Sequence, residues 1–290
     1  MKSHQIIEKA KQFAQYDMIQ TYAALPNFPS QRTHLLYTFL NKCSQVKHSE
    51  LYALVTLLAQ MGMDTHDNIE TGRREKTSFG TMNRTKQLSV LAGDYFSGRF
   101  YQLLAQAGQI ETIKRLSDAI CEVNQAKLNL YGKMKHLKCT AEEFLKQTVW
   151  IKTQLFLSFN HWFDPKHRAV WNDIFSVFTR CEVIAAEIQR GEHFTCSRES
   201  WAYCFILEHA SEEDKQSVLN RDKLDRKHVA VVFDKYRIGQ ALRDLLTHNV
   251  LQLQTMIEQH TTGSLAQELN MLLKSFMYLM TPAKVAEESS

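Results

Sequence analysis

Residues 87–98 read Gln87-Leu88-Ser89-Val90-Leu91-Ala92-Gly93-Asp94-Tyr95-Phe96-Ser97-Gly98. Leu91 and Tyr95, four residues apart, share one face of a helix, and Asp94 falls beside them. Gly93 and Gly98 interrupt an otherwise helix-forming run, and each costs about 1 kcal/mol relative to Ala in a helix interior. A helix keeps such residues where a neighbouring backbone comes close, or where the carboxylate has a partner.

Outward from this stretch, glycine and proline are scarce. The 290 residues include only 10 Gly and 4 Pro, against average usage of about 7% and 5%. Sandwiches and barrels need a turn residue every few positions, and parallel α/β folds need Gly-rich strand-to-helix turns. The composition therefore points to an all-α protein of long helices and short connections. Hydrophobic residues make up 44% and charged residues 23%, the balance of a globular chain rather than a disordered one. A formal net charge of +4, without a concentrated basic stripe, gives no reason to expect nucleic acid. No run approaches the length of a transmembrane span. The opening residues are amphipathic and lack a signal-peptide core, so a cytoplasmic location is expected. The six cysteines (Cys43, Cys121, Cys139, Cys181, Cys196 and Cys204) contain no CxxC pair and read as reduced thiols.

Helical periodicity is plain along most of the chain. Leu51, Leu54, Leu58 and Met61 repeat at three and four behind Ser49. Ile113, Leu116, Ile120, Val123 and Leu130 do so over 110–131, with Gly132 as the expected stop. Thr140 and Glu143 make a capping-box pattern. Asp164-Pro165 reads as an N-cap with Pro in the first turn of a helix carrying Trp171, Ile174, Phe175, Phe178, Cys181 and Ile188, ending at Gly191. Two stretches break the pattern. Residues 72–86 are polar, contain two glycines and read as a loop. Residues 211–228 are highly charged and read as a solvated helix or a flexible connection. Leucine-rich patterns over 242–257 and 265–276 predict two closing helices, and the tail from Thr281 reads as frayed.

The segment before the opening stretch runs Met63-Asp64-Thr65-His66-Asp67-Asn68, followed by the polar loop with Arg73-Arg74. Together with Leu-Ala-Gly-Asp-Tyr-Phe at 91–96, this layout resembles the trans-isoprenyl diphosphate synthase superfamily. There a helix ends in a DDxxD motif, an Arg-Arg pair follows, and a polar loop leads to a helix with a Leu-Ala-Gly-Asp-Tyr motif. Counting back from Arg73-Arg74, Asp64 falls on the first aspartate, Thr65 on the second and Asn68 on the third. The wording of 63–67 and 87–98 is most similar to the small-subunit (component I) family of heterodimeric heptaprenyl diphosphate synthases. The close resemblance covers about forty residues and fades near 190. On that basis 1–190 is the expected prenyl-synthase-like helical core, and 191–290 a C-terminal helical extension that includes the charged segment.

The resemblance implies an isoprenoid-synthase-like helical bundle, and the departures from its pattern imply a non-catalytic role. Prenyl transfer ionises an allylic diphosphate, and Mg²⁺ held by carboxylates neutralises the departing pyrophosphate. Here the first aspartate motif is reduced to Asp64, Asp67 and Asn68. No second one occurs, Asp222, Asp225 and Asp234 being the nearest candidates. The chain alone is expected to bind no cofactor and to have no catalytic residue, with Mg²⁺ on a DDxxD-bearing large subunit. Asp64 and Asp67 read as a residual metal site or as a polar helix end left behind. Arg73 and Arg74 read as diphosphate contacts or as solvated side chains. Gly93, Asp94, Tyr95 and Gly98 read as an interface with the partner subunit, or as a close helix crossing within the chain. Phe96, Phe100 and Tyr101 read as the lining of a prenyl tunnel or as plain core. The function implied is that of the small subunit of a polyprenyl diphosphate synthase elongating farnesyl diphosphate with isopentenyl diphosphate for menaquinone side chains. A prenyl diphosphate would then lie at or near the subunit interface. A catalytic homodimer with degenerate metal motifs, or a helical adaptor that kept only the fold, are the alternatives.

Overall fold

A computed structural model describes residues 2–15, 25–43, 45–71, 79–192, 199–219 and 226–280. Among these, every regular element is helical. In chain order they are α1 (Lys2–Ala14), α2 (Ser30–Lys42), α3 (Ser49–Thr71), α4 (Phe79–Gln106), α5 (Ile110–Lys135), α6 (Ala141–Leu157), a 3-10 turn at Asn160–Trp162, α7 (Pro165–Glu192), α8 (Trp201–His209), α9 (Glu212–Leu219), α10 (Arg226–Lys235), α11 (Ile238–His260) and α12 (Gly263–Met280). The all-α expectation is met.

Several helix ends follow from local chemistry. The Thr140 hydroxyl accepts from the Glu143 N–H at 3.1 Å, and the Asp164 carboxylate accepts from the N–H groups of Lys166 and His167 at 3.0 and 3.1 Å. Both satisfy donors that the first helical turn leaves open. The expected stop at Gly132 is corrected: α5 runs on to Lys135, and Leu137, at φ 57°, ends it. The Lys138 N–H returns to the Lys133 carbonyl at 2.9 Å and the Leu137 N–H to Met134 at 3.1 Å. This is a Schellman closure that glycine usually provides. The loop expected over 72–86 is also corrected in part. Residues 79–86 are already helical, Gly80 being confined to the first turn of α4, while 72–78 lie outside the described residues. The charged stretch resolves into α9 and the start of α10, with 220–225 outside the described residues. The tail from 281 likewise lies outside them.

The chain divides into two compact units that interleave in sequence: 1–121 with 154–168, and 122–153 with 169–290. In the first unit α3 is the central element, packed against α1, α2 and, most extensively, α4. It buries Tyr52, Val55, Leu57, Leu58 and Met61, so it is apolar nearly all round, as a surrounded helix must be. Tyr52 donates to the Gln109 side chain at 2.6 Å and stacks against Trp162. In the second unit α11 packs against α12, and Phe178 of α7 meets Phe276 of α12 edge to face at 5.4 Å. Glu187 caps α8, one oxygen accepting the Trp201 N–H at 2.8 Å and the other bonded to Arg190 at 2.6 Å. Burial pushes its carboxyl above the usual carboxylate range despite Arg190. Cys139, Cys181 and Cys204 are buried free thiols, Cys43 is half-buried and Cys121 exposed. Burial pushes the Cys181 thiol up to about 12, which leaves it unreactive at neutral pH.

Candidate functional site

The two motif-bearing segments meet where the C-terminal half of α3 crosses α4. A Cβ at Gly62 would lie 2.8 Å from the Ser97 hydroxyl and 3.1 Å from the Gly93 carbonyl oxygen. A Cβ at Gly93 would lie 2.6 Å from the His66 ring. A Cβ at Gly62 would meet backbone, so that glycine is needed for the two helices to approach at backbone distance, whereas one at Gly93 would first meet the His66 ring, a side chain that can move. For Gly93 this is the helix-crossing alternative, since the residue is buried by its own chain. Gly98 differs: it is exposed, and nothing among the described residues lies within 4 Å of a Cβ placed there. The described residues give no packing reason for glycine at 98.

Asp94 has the partner its sequence setting called for. Its carboxylate lies 3.4 Å from His66 Nε2, the two side chains being 66% and 39% exposed. At that exposure the contact is worth little by itself, so the ring's seat on Gly93 matters as much. Sequence reasoning passed over His66, which stands in the motif only as a spacer. The one signal available was that Gly93 lacked a neighbour to explain it.

On α3 the motif residues do not converge as a metal clamp. Asp64 is half-buried and accepts from the Gln60 amide at 2.8 Å. Thr65, in the second aspartate's place, is buried with its hydroxyl donated to the Met61 carbonyl at 2.6 Å. Asp67 and Asn68 are exposed. Arg73 and Arg74 lie outside the described residues, as do Asp222 and Asp225. Mg²⁺ takes near-octahedral oxygen ligands, commonly one or two carboxylates completed by phosphates and waters. A clamp spanning two ions and a pyrophosphate asks for more carboxylates than this helix end offers, with one of its two already engaged by an amide. No group of three His, Cys, Asp or Glu side chains is placed to share a cation among the described residues. The described residues at this end of α3 do not by themselves make up such a cluster.

The outer face of α4 carries a separate feature. Leu91, Asp94, Gly98 and Tyr101 repeat at intervals of three and four and are all exposed, Leu91 by 61% and Tyr101 by 41%. Val90 flanks them. The Tyr101 hydroxyl pairs with the Ser117 hydroxyl of α5 at 2.7 Å, so the stripe continues onto α5, where Ile110 is exposed. Tyr101 thus belongs to this surface, whereas Phe96 and Phe100 are fully buried on the other side of α4. Phe100 stacks on Tyr101 at 4.3 Å, and the half-buried Tyr95 meets Phe96 edge-on at 5.7 Å.

Similarity to known proteins identifies the fold and the family. The solved structure of geranylgeranyl pyrophosphate synthase from Lactobacillus brevis ATCC 367 superposes with a TM-score of 0.74 at 15% identity, covering 96% of each chain. A polyprenyl synthase from Caulobacter crescentus CB15, complexed with calcium and isoprenyl diphosphate, gives 0.72 at 12% identity over 97% of this chain and 95% of that one. Heptaprenyl diphosphate synthase from Staphylococcus aureus gives 0.68 at 12% over 95% and 96%. At such identities the likeness is one of fold: the isoprenyl diphosphate synthase bundle. Heptaprenyl diphosphate synthase component 1 of Geobacillus stearothermophilus is 36% identical over 85 residues, 29% of this chain and 36% of that protein. The alignment therefore spans about a third of the curated relative. Residues 16–238 match the family described as heptaprenyl diphosphate synthase (HEPPP synthase) subunit 1, well past residue 190, where the motif resemblance fades. The match takes in most of the chain, including α3, α4 and their crossing, and the chain belongs to the heptaprenyl diphosphate synthase subunit 1 family.

Proposed function

We propose that this chain is the non-catalytic small subunit of a heterodimeric polyprenyl diphosphate synthase. One observation carries the reading. The end of α3, where a catalytic relative would hold metal and pyrophosphate, has two carboxylates, one held by Gln60, and a threonine whose hydroxyl is turned back on its own helix. A partner subunit bearing intact DDxxD motifs would supply Mg²⁺ and ionise the allylic diphosphate. This chain contributes the α4–α5 face to the assembly. Leu91 and Tyr101 supply apolar contact there, and Gly98 lets the partner's backbone come close. The assembly condenses isopentenyl diphosphate onto farnesyl diphosphate in the cytoplasm, for menaquinone side chains. Arg73 and Arg74 contact a diphosphate near the subunit interface. The long apolar product is accommodated beside α4, with Phe96 and Phe100 backing the wall.

The test is reconstitution. Purified chain incubated with farnesyl and isopentenyl diphosphates is expected to make no polyprenyl product. Addition of a DDxxD-bearing large subunit should give long-chain product at a rate neither subunit reaches alone. Product from this chain alone would overturn the non-catalytic assignment, and no gain with the large subunit would leave the adaptor alternative.

A further inference from the structure

Two buried thiols of the second unit are neighbours. Cys139 lies in the connection between α5 and α6, and Cys204 lies in α8, sixty-five positions on. They are 7% and 1% exposed. Each sulfur is within hydrogen-bond reach of the other. The Cys204 thiol also meets the Met134 sulfur, near the end of α5, at 3.6 Å. A further contact holds the same surfaces together without sulfur: the Ala141 N–H donates to the Glu208 carboxylate of α8 at 2.8 Å. The α5–α6 turn is therefore seated on α8 by residues on both sides of Cys139.

Thiols that meet across so long a loop stand where a disulfide needs them. A disulfide holds its sulfurs at about 2.05 Å, so closure from hydrogen-bond contact asks for a shift of only about 1–2 Å. The loop it would close is long, and a bond across a long loop takes more freedom from the unfolded chain than one across a short loop.

We propose that Cys139 and Cys204 form a redox clamp: a peroxide joins them in a disulfide that fixes the α5–α6 turn to α8, and a thiol reductant reopens it. The Cys139 thiolate attacks one peroxide oxygen and the O–O bond breaks. Cys139 becomes a sulfenic acid, and the departing hydroxide takes up the thiol's proton and leaves as water. The Cys204 sulfur then attacks the sulfenic sulfur, its proton joins the leaving hydroxyl, and a second water departs. Two thiols and one peroxide thus give one disulfide and two waters. Burial pushes both thiols up, Cys204 the further, so Cys139 ionises first and attacks slowly. The clamp answers to sustained oxidant rather than to a brief pulse.

The experiment treats the full chain, reduced and then freed of reductant, with hydrogen peroxide, and maps its peptides without reduction by mass spectrometry. The expected product joins the Cys139 peptide to the Cys204 peptide with the loss of two hydrogens, and dithiothreitol should release it. The oxidised chain should melt roughly 5 °C above the reduced one. That shift should vanish in Cys139→Ser and in Cys204→Ser, and persist in Cys181→Ser, which removes another buried thiol. Circular dichroism checks that each variant is folded, and the map of the unsubstituted chain decides by itself where one is not. Cys139 and Cys204 both remaining thiols after the exposed Cys121 has been oxidised would overturn the proposal. So would Cys139 running on to its sulfinic acid unlinked, or a link from either residue to another cysteine. A link with no rise in melting temperature would show a bond that clamps nothing. Prenyl transfer enters none of these readings, so the small-subunit assignment keeps its own test.

Discussion

His66 and Gly93 show how one residue's identity can be fixed by another 27 positions away. The ring occupies the space a Cβ at 93 would need, and its nitrogen reaches Asp94. Gly93→Ala should therefore displace the ring into solvent and lose the Asp94 contact, offsetting the gain of about 1 kcal/mol in helix propensity. In a His66→Ala background the obstacle is gone, and the same substitution should raise the melting temperature by about 2 °C. Thermal denaturation of the four proteins forms a double-mutant cycle. Additive effects would mean that the ring does not occupy that hollow. The sequence made Gly93 and Asp94 conspicuous, because glycine and an acid in an apolar helical run demand a reason. It did not make His66 conspicuous, since a spacing argument along one helix carries no information about which residue of another helix fills the gap.

At the scale of elements, one carboxylate links the two helices of the charged segment. Asp214 of α9 accepts from Lys235 at 2.6 Å, Tyr236 at 2.6 Å and Ser211 at 2.8 Å, tying α9 to the end of α10. The Lys235 ammonium first, then the Tyr236 and Ser211 hydroxyls, hold its carboxyl down at about 2. An unfolded aspartate titrates near 3.9, so below roughly pH 4 the unfolded chain takes up the proton first. The stabilisation is complete above that pH and drains away as pH falls towards 2. Amide hydrogen exchange in α9 and α10 should accelerate across that window beyond its intrinsic pH dependence. Asp214→Asn should show the faster exchange already at pH 7 and no added change below 4. An unaltered profile in the variant would remove Asp214 from that role. Charge density along the chain marks such a stretch as solvated. The residues that organise it, Lys235 and Tyr236, lie beyond it. The end of α5 was hidden for a similar reason: Gly132 was the obvious stop, but the turn formed five residues later at Leu137, where backbone hydrogen bonds outweighed the cost of a left-handed leucine.

For the whole molecule, the low glycine and proline content was enough to read an all-α protein, and the motif order enough to read which bundle. The outward stripe was half legible: Gly98 stood out as a helix-interior glycine, and only the structure separates it from Gly93 by showing empty space around it. A substitution on that stripe tests its use. Leu91→Glu should abolish co-purification with a DDxxD-bearing subunit. The stability of the isolated chain, read by thermal denaturation, should hold within the ~0.5 kcal/mol typical of surface changes. An intact complex would move the interface elsewhere. The compact units were not legible at all, because the chain passes between them after residues 121, 153 and 168, each time inside a helix, α5, α6 or α7. No linker composition marks such a crossing. For the gene, this means that neither unit is a cassette. Because three boundaries separate the units, no single crossover can exchange one of them whole: it leaves at least one unit with a core drawn from two parents. The subunit can therefore diverge by substitution far more readily than by recombination.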